Sequence, residues 1–311
     1  MIRRHPIRSA VAVLLLVAVC GVTWSFLPSP LPVAAPWAGA LPPAAPPAEM
    51  AIYALPTGAY QAPAALAFRG GSFSDTRELA ATPVLVRHPK GDLLIDTGFG
   101  EKVEAQIGLL PSFQRAPYHR EQTAKAQLEA GGYDLGNLKG IIITHCHWDH
   151  VSALPDLGVP VWMNAAEQKY VEQDRDDTRV FRSFSGLQLH SYAFDGPAYL
   201  GFPSSHDVWG DGSVVLVPAP GHTPGSIIAF VTLPGEKRYA FIGDLTWQLD
   251  GIEKRAERPL MMRAVADHDP AEVRLDIARI GAIAGLFQVV PAHDGRAHAS
   301  IQPYPRSPAP R

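Results

Sequence analysis

The chain has 311 residues, of which 47% are hydrophobic and 18% charged, so it can form the core of one large domain or two small ones. Its formal net charge of −3 at pH 7 offers no basic surface to a nucleic-acid backbone, and we expect no nucleic-acid partner. The two cysteines, Cys20 and Cys146, exclude a disulfide framework.

The first 27 residues predict an export signal or a membrane anchor. Arg3, Arg4 and Arg8 precede an apolar run over residues 10–27. This run is longer than the usual core of a signal peptide and close to the minimum for a membrane-spanning helix. With the arginines kept in the cytoplasm, the rest of the chain is expected in the periplasm or another extracytoplasmic space. An uncleaved segment would attach the protein to the membrane, and the sequence leaves cleavage open.

Residues 28–48 are rich in proline and alanine, a composition that predicts an extended, semi-rigid tether that does not pack. The folded domain is therefore expected over residues 49–303. Residues 304–311 are expected to form a disordered tail.

Within this domain, short apolar stretches that end at glycine or proline predict strands over 52–55, 65–68, 84–87 and 93–95. A helix is predicted over 122–130 and a buried strand over 141–143. In the second half, strands are predicted over 214–217, 227–231, 239–242 and 287–290. Asp269 and Pro270 are typical of a helix start, here of a helix that ends near residue 285. Two strand-rich halves that each end in a helix predict an α+β fold in which two sheets face each other under helical covers.

Four potential metal ligands follow the strand at 141–143: His145, His147, Asp149 and His150. Side chains alternate in an extended segment, so His145 and His147 point the same way and Cys146 points the other way, as a packing residue. Asp149 and His150 come after the chain has begun to turn, which lets them approach a second ion.

Four ligands are too few for two ions, so further donors are expected later in the chain. Three polar residues follow predicted strand ends: His222 and Asp244 each come directly after a glycine, and His293 comes after Pro291 and Ala292. Strand ends of this kind bring polar side chains to one rim of a scaffold. Together with the first cluster, these residues predict a metal centre.

Through these segments, and through residues 94–98 (LIDTG), the chain resembles hydrolases of the metallo-β-lactamase fold superfamily over residues 50–300. The resemblance implies a four-layer αββα sandwich with a dinuclear site. His145, His147 and His222 would hold one metal, Asp149, His150 and His293 the other, and Asp244 would bridge both. Asp96 would support the site from behind the ligands.

A dinuclear site of this kind uses a metal-bridging hydroxide as the nucleophile and polarises the oxygen of the substrate. Asp149 is the candidate to steer protons to the leaving group. Imidazole and carboxylate ligands suit two zinc ions best, and iron or manganese also fit.

The chain is most similar to the lactonase-like branch, which opens acyl-homoserine lactones, and we expect a small-molecule substrate with an ester or lactone bond. Some of those lactonases carry a tyrosine three residues after the bridging aspartate. Trp247 stands at that position here and is the candidate substrate contact. Together with Phe99, Trp148 and Trp209, it is a candidate to form an apolar wall around an acyl or aryl group of the substrate.

Other activities remain open at this point. Related branches hydrolyse organophosphate triesters or β-lactams, and iron-dependent persulfide dioxygenases share the histidine motif. A metal-binding scaffold without turnover is a further alternative. The sequence does not predict an oligomeric state.

Overall fold

The computed structural model describes residues 6–305, and residues 6–9 in their backbone alone. Its strands are β1 (Ala51–Ala54), β2 (Gly58–Pro63), β3 (Thr76–Ala80), β4 (Val84–Arg87), β5 (Asp92–Ile95), β6 (Tyr118–Arg120), β7 (Leu138–Ile142), β8 (Val161–Asn164), β9 (Leu189–Tyr192), β10 (His206–Asp207), β11 (Val214–Pro218), β12 (Ile227–Thr232), β13 (Arg238–Phe241) and β14 (Gln288–Val290).

The helices are α1 (Pro6–Phe26), α2 (Ala64–Ala67), α3 (Val103–Leu109), α4 (Ala124–Ala130), α5 (Trp148–Val151), α6 (Leu154–Leu157), α7 (Ala165–Val171), α8 (Arg179–Arg182), α9 (Asp250–Glu253), α10 (Leu260–Ala266), α11 (Pro270–Ile283) and α12 (Gly295–His298). Short 3-10 helices span Ser112–Gln114, Leu135–Asn137 and Pro234–Glu236.

Two large sheets organise the chain. The first has the strand order β1-β4-β5-β7-β8-β9 and is parallel from β5 to β9. The second has the order β10-β11-β12-β13-β14 and is antiparallel except between β13 and β14. A small third sheet has the strand order β3-β2-β6.

The two large sheets face each other across one apolar core, to which the first contributes Val86 and Leu93 and the second Leu216 and Val231. A second core lies between the outer face of the first sheet and helices α4, α7 and α8. A third lies between the second sheet and α11. This arrangement confirms the predicted four-layer αββα sandwich, because each sheet buries one face on the other sheet and one face under helices.

Most predicted elements are present within one to three residues of their predicted ends. The start of α11 is confirmed in detail, since the Asp269 side chain accepts hydrogen bonds from the backbone N–H groups of Ala271 and Glu272. The strand predicted over 65–68 is wrong, because the chain forms α2 there. Three of the four residues of α2 are alanines, which have the highest helix propensity, and Pro63 directly precedes its first turn.

The prediction that residues 28–48 do not pack is also wrong. Leu31, Trp37 and Leu41 lie against the core under α11. The backbone N–H of Leu31 donates to the carbonyl of Arg255 at 2.7 Å, and that of Trp37 donates to Ala282 at 2.9 Å. Proline keeps this segment extended, but the apolar side chains between the prolines find partners on the domain.

The chain ends agree only in part with the sequence predictions. Within the part that the structure describes, no helix combines the length and the apolar character needed to cross a bilayer. Export and membrane attachment stay predictions, and Arg3 and Arg4 lie outside the described residues. Tyr304 was expected in a disordered tail, but its ring packs edge-on against Tyr53 at 5.3 Å. Residues 306–311 lie outside the described residues.

Candidate metal centre

The candidate ligands follow the carboxyl ends of four strands. His145, His147, Asp149 and His150 come after β7. His222 follows β11, Asp244 follows β13 and His293 follows β14. Since β11, β13 and β14 run in the same direction, their carboxyl ends lie at one edge of the second sheet. The structure therefore brings all seven predicted side chains together.

Three histidines form the first ligand group, and their ring nitrogens lie within 4.8 Å of one another. Nε2 of His222 lies 2.9 Å from Nδ1 of His147 and 3.2 Å from Nε2 of His145. The shared orientation of His145 and His147 agrees with the strand-alternation argument. Cys146 is confirmed as a packing residue, because it is buried in the core under the helices of the first sheet.

Asp149, His150 and His293 form the second group. Nε2 of His293 lies 3.4 Å from Oδ2 of Asp149, and Nε2 of His150 lies 3.9 Å from Oδ1 of the same carboxylate. All three side chains are buried. The turn into α5 at Trp148 carries Asp149 and His150 away from the face used by His145 and His147.

The Asp244 carboxylate lies between the two groups. Its Oδ1 atom is 3.0 Å from Nε2 of His293 and 3.2 Å from Nε2 of His150. Its Oδ2 atom is 3.6 Å from Nε2 of His222. One oxygen therefore faces each group, which is the position that a bridging ligand requires.

Hydrogen bonds behind the ligands fix the orientation of the rings. Nδ1 of His293 lies 2.8 Å from the carbonyl oxygen of Ala80, which can only accept, so Nδ1 carries a proton and Nε2 faces the site. Nδ1 of His150 lies 2.8 Å from Oδ2 of Asp96. Asp96 also accepts from the Thr144 backbone N–H and hydroxyl, at 2.7 and 2.9 Å. The supporting position predicted for Asp96 is thus present in the structure.

The chemistry of these donors fits divalent cations. Nε2 of His150 and His293 and Oδ1 of Asp244 are buried without a hydrogen-bond partner in the described part of the chain. Several such atoms at one point are costly unless something satisfies them together. Imidazole nitrogens and carboxylate oxygens are the donors that zinc and similar cations prefer.

The two groups differ in their electrostatics. Burial, together with the charges of the neighbouring histidines, lowers the pKa of His145 well below its usual value, and burial beside His222 lowers the pKa of His147 to about 3. Burial also lowers the pKa of His150, but the carboxylates of Asp96, Asp244 and Asp149 outweigh it and raise that pKa overall. One group therefore offers neutral imidazole lone pairs, and the other lies in negative potential that favours a cation.

Glu167 was missed in the sequence analysis, although it holds both ligand loops. Its buried carboxylate accepts hydrogen bonds from the backbone N–H of Cys146 at 2.7 Å, from the Thr223 hydroxyl at 2.7 Å and from the backbone N–H of Gly225 at 3.0 Å. A Cβ atom at Gly225 would overlap the Glu167 backbone, so the close approach requires glycine. The sequence signal was weak, since a glutamate three residues after Asn164 looks like an ordinary helix start.

A buried ion pair was also missed in the sequence analysis. Arg258 is fully buried, and its guanidinium donates to Oδ1 of Asp267 at 2.6 Å and to the backbone carbonyl of Asp244. Asp267 in turn lies 3.5 Å from Nδ1 of His222. The pair flanks α10 and touches two of the candidate ligands, but no local pattern in the sequence joins its members.

The predicted aromatic wall is present in part. Phe99 and Trp148 stack with ring centroids 5.5 Å apart. Trp209 does not belong to this wall. Its ring stacks on His88 at 3.8 Å. His88 directly follows β4, whereas Asp96 directly follows β5, so the two lie at opposite ends of this antiparallel strand pair. Trp247 packs against Phe68 and Ala256, and its indole N–H has no hydrogen-bond partner among the described residues. Tyr60, which the sequence analysis did not single out, lies 5.8 Å from Trp148.

Residues 76–302 match the family model of the metallo-beta-lactamase superfamily. A probable metallo-hydrolase from Mycobacterium bovis is 30% identical over 191 residues, which are 58% of this chain and 61% of that protein. The chain thus spans about three fifths of the length of that relative.

An N-acyl homoserine lactonase from Azorhizobium caulinodans is 25% identical over 242 residues, which are 71% of this chain and 84% of that protein. Among solved structures, an N-acyl homoserine lactone hydrolase with N-hexanoyl-L-homoserine bound at its catalytic metal centre is similar in fold. Its TM-score is 0.65 at 18% identity, with 82% of this chain and 97% of that chain covered.

Proposed function

Because this chain belongs to the metallo-beta-lactamase superfamily, we propose that it is a metal-dependent hydrolase that cleaves an ester or lactone bond in a small molecule. Acyl-homoserine lactones are the first candidate substrates. The N-acyl homoserine lactonase relative supports this choice.

The position of Asp244 between the two ligand groups is the observation that carries the proposal. His145, His147 and His222 would hold one divalent ion, and Asp149, His150 and His293 would hold the other. Asp244 would contribute an oxygen to each. Zinc is the first choice for this donor set, with iron or manganese as alternatives.

Two bound divalent ions would lower the pKa of a water molecule towards neutrality and polarise the substrate carbonyl. The residues of the chain would orient the ligands and move the proton. Asp96 and the Ala80 carbonyl keep Nε2 of His150 and His293 directed at the site. Asp149 has its carboxylate beside His293 and would handle the proton that moves to the leaving group.

Trp247 would contact the acyl part of the substrate. Two features support this role: its indole is partly exposed, and the Arg258 guanidinium, which donates to the backbone carbonyl of Asp244, lies 4.9 Å from the ring. A series of lactones with increasing acyl length tests it. Trp247→Ala should raise KM most for the long chains, whereas Trp209→Ala, which lies at the end of the β4–β5 pair away from Asp96, should leave KM unchanged. Equal KM values for Trp247→Ala and wild type would remove this residue from the site.

The reaction class is tested with a panel of lactones, esters, β-lactams, phosphotriesters and thioesters on the full chain after reconstitution with zinc, iron or manganese. The full chain is used because Leu31, Trp37 and Leu41 pack on the domain. Zinc-dependent cleavage of lactones or esters is the expected result. Oxygen consumption with a persulfide, without cleavage of any ester or lactone, would assign the protein to the dioxygenases instead.

A further inference from the structure

Tyr60 lies at the centre of the small third sheet. Its strand β2 pairs with β3 on one side and β6 on the other, where Tyr60 stands opposite Tyr118. The Tyr60 ring meets the ring of His293 edge-on at 5.3 Å and that of Trp148 at 5.8 Å. The small sheet thus delivers an aromatic side chain directly onto a candidate metal ligand.

The hydroxyl of Tyr60 is the part that apolar packing does not explain. A phenol, whose usual pKa is about 10, is protonated at neutral pH and can donate a hydrogen bond. In the same cluster, Phe99 fills space beside Trp148 without a hydroxyl. A phenylalanine at position 60 would therefore serve for packing alone.

Tyr60 is also one of the partly exposed residues around the ligand groups. His145, His150, Asp244 and His293 are buried, whereas Tyr60, His147, Trp148 and Trp247 are partly exposed. Tyr60 and Trp148 are in ring contact with each other, and Tyr60 with His293, so this exposed edge adjoins the second ligand group. Tyr60 is the one that combines contact with His293 and a hydroxyl.

A hydrogen-bond donor of this kind would assist the proposed hydrolysis. Negative charge develops on the carbonyl oxygen, which the cations would stabilise, and then on the leaving oxygen as the ester bond breaks. The seven ligand side chains would face bound cations with their lone pairs. A hydrogen-bond donor from outside the ligand set would stabilise the leaving oxygen before Asp149 passes it a proton.

We propose that Tyr60 is a catalytic residue whose hydroxyl donates a hydrogen bond to the leaving oxygen of the substrate. This inference rests on the proposed hydrolase function. It assigns a role to a residue outside the metal-binding motifs and brings the small third sheet into the active site.

The test compares Tyr60→Phe with wild type on a series of acetate esters and lactones whose leaving groups range from nitrophenol to simple alcohols. Loss of a hydrogen bond to a charged oxygen should lower kcat about 10- to 100-fold for alcohol leaving groups. The loss should be about twofold or less for nitrophenol, which needs little assistance. Metal content and thermal unfolding should match those of wild type.

Tyr118→Phe is the matched control, since it removes a hydroxyl from the facing position of the same sheet. Replacement of Tyr60 by 3-fluorotyrosine keeps the ring and the hydroxyl and should retain the rate on alcohol leaving groups. That variant also decides the question if Tyr60→Phe fails to fold. A fluorotyrosine protein as slow as Tyr60→Phe would overturn the proposal, as would a Tyr60→Phe protein with the same rate loss for every leaving group or with none.

Failure of this inference is distinguishable from failure of the proposed function. If metal-loaded wild type cleaves no ester or lactone, the hydrolase assignment is wrong. If wild type cleaves them and Tyr60→Phe shows no dependence on the leaving group, only the role of Tyr60 is wrong.

Discussion

Oδ2 of Asp96 lies 2.8 Å from Nδ1 of His150, although 54 positions separate the two residues in the chain. Asp96 directly follows β5, adopts a left-handed backbone with φ of 56°, and points its carboxylate under the neighbouring ligand loop. Thr144 donates to the same carboxylate. One side chain therefore joins the ends of two adjacent parallel strands and sets the direction in which His150 presents Nε2.

Asp96→Asn should weaken metal binding about 10- to 100-fold, because the amide cannot orient His150 as the carboxylate does. Competition with a chelator of known affinity measures the effect. Asp174→Asn is the control, since the Asp174 side chain is 91% exposed and pairs only with Arg182 among its described neighbours. Equal affinities for Asp96→Asn and wild type would show that this hydrogen bond does not support the site.

His147→Ala should abolish hydrolysis and leave the domain folded. The substitution removes one of the three histidines of the first group, and the second group does not contain His147. Elemental analysis should therefore find one ion per chain in place of two, with an unchanged circular dichroism spectrum. Full activity in this variant, with metal still bound, would contradict the assigned ligands.

Glu167→Ala should lower the free energy of unfolding by about 2 to 4 kcal/mol, because it leaves buried donors of Cys146, Thr223 and Gly225 without their acceptor. Denaturant unfolding of the metal-free protein isolates this effect from metal binding. Glu172→Ala, at the exposed end of the same helix, should change the free energy of unfolding by less than about 0.5 kcal/mol. Similar values for the two variants would exclude the bracing role of Glu167.

The buried carboxyl group of Asp276 should make the free energy of unfolding depend on pH, independently of the metal site. Burial raises the pKa of this carboxyl to about 6, which its partner Arg279 only partly offsets. Since the usual value in an unfolded chain is about 3.9, the folded protein holds an extra proton between these values. The stability that this proton contributes is complete below pH of about 4 and is lost as the pH rises through about 6.

Asp276→Asn removes this titration. Relative to wild type, the variant should gain about 1 to 3 kcal/mol in free energy of unfolding as the pH is raised from 4 to 7. Denaturant unfolding of both proteins in the same chelator-containing buffer measures the difference. A difference that stays constant over this range would show that Asp276 ionises at its ordinary pKa.

The sequence was sufficient for the parts of the site that depend on strand ends. His145 and His147 follow a buried strand, and alternation alone places them on one face. His222, Asp244 and His293 each follow a strand that short apolar runs had predicted. The carboxyl ends of these strands meet at one rim, and the positions of the ligands follow from that.

Residues that act through the tertiary structure could not be predicted in this way. Glu167 reaches Thr223 and Gly225 across more than 50 positions, and Arg258 reaches the Asp244 backbone from the next loop. Tyr60 enters the site from a small sheet that has no motif of its own. The strand predicted at 65–68 was wrong because the short apolar run was interpreted without alanine's helix propensity. The free tether predicted at 28–48 was wrong because its composition did not reveal the apolar contacts of Leu31, Trp37 and Leu41.

The measurement that tests the central claim most directly is a zinc titration of the chelator-stripped full chain, with metal content and lactone or ester hydrolysis followed together. We expect no hydrolysis in the stripped protein and an increase in rate that ends at two zinc ions per chain. Hydrolysis at the full rate without metal, or a chain that binds no zinc with its fold intact, would contradict the account.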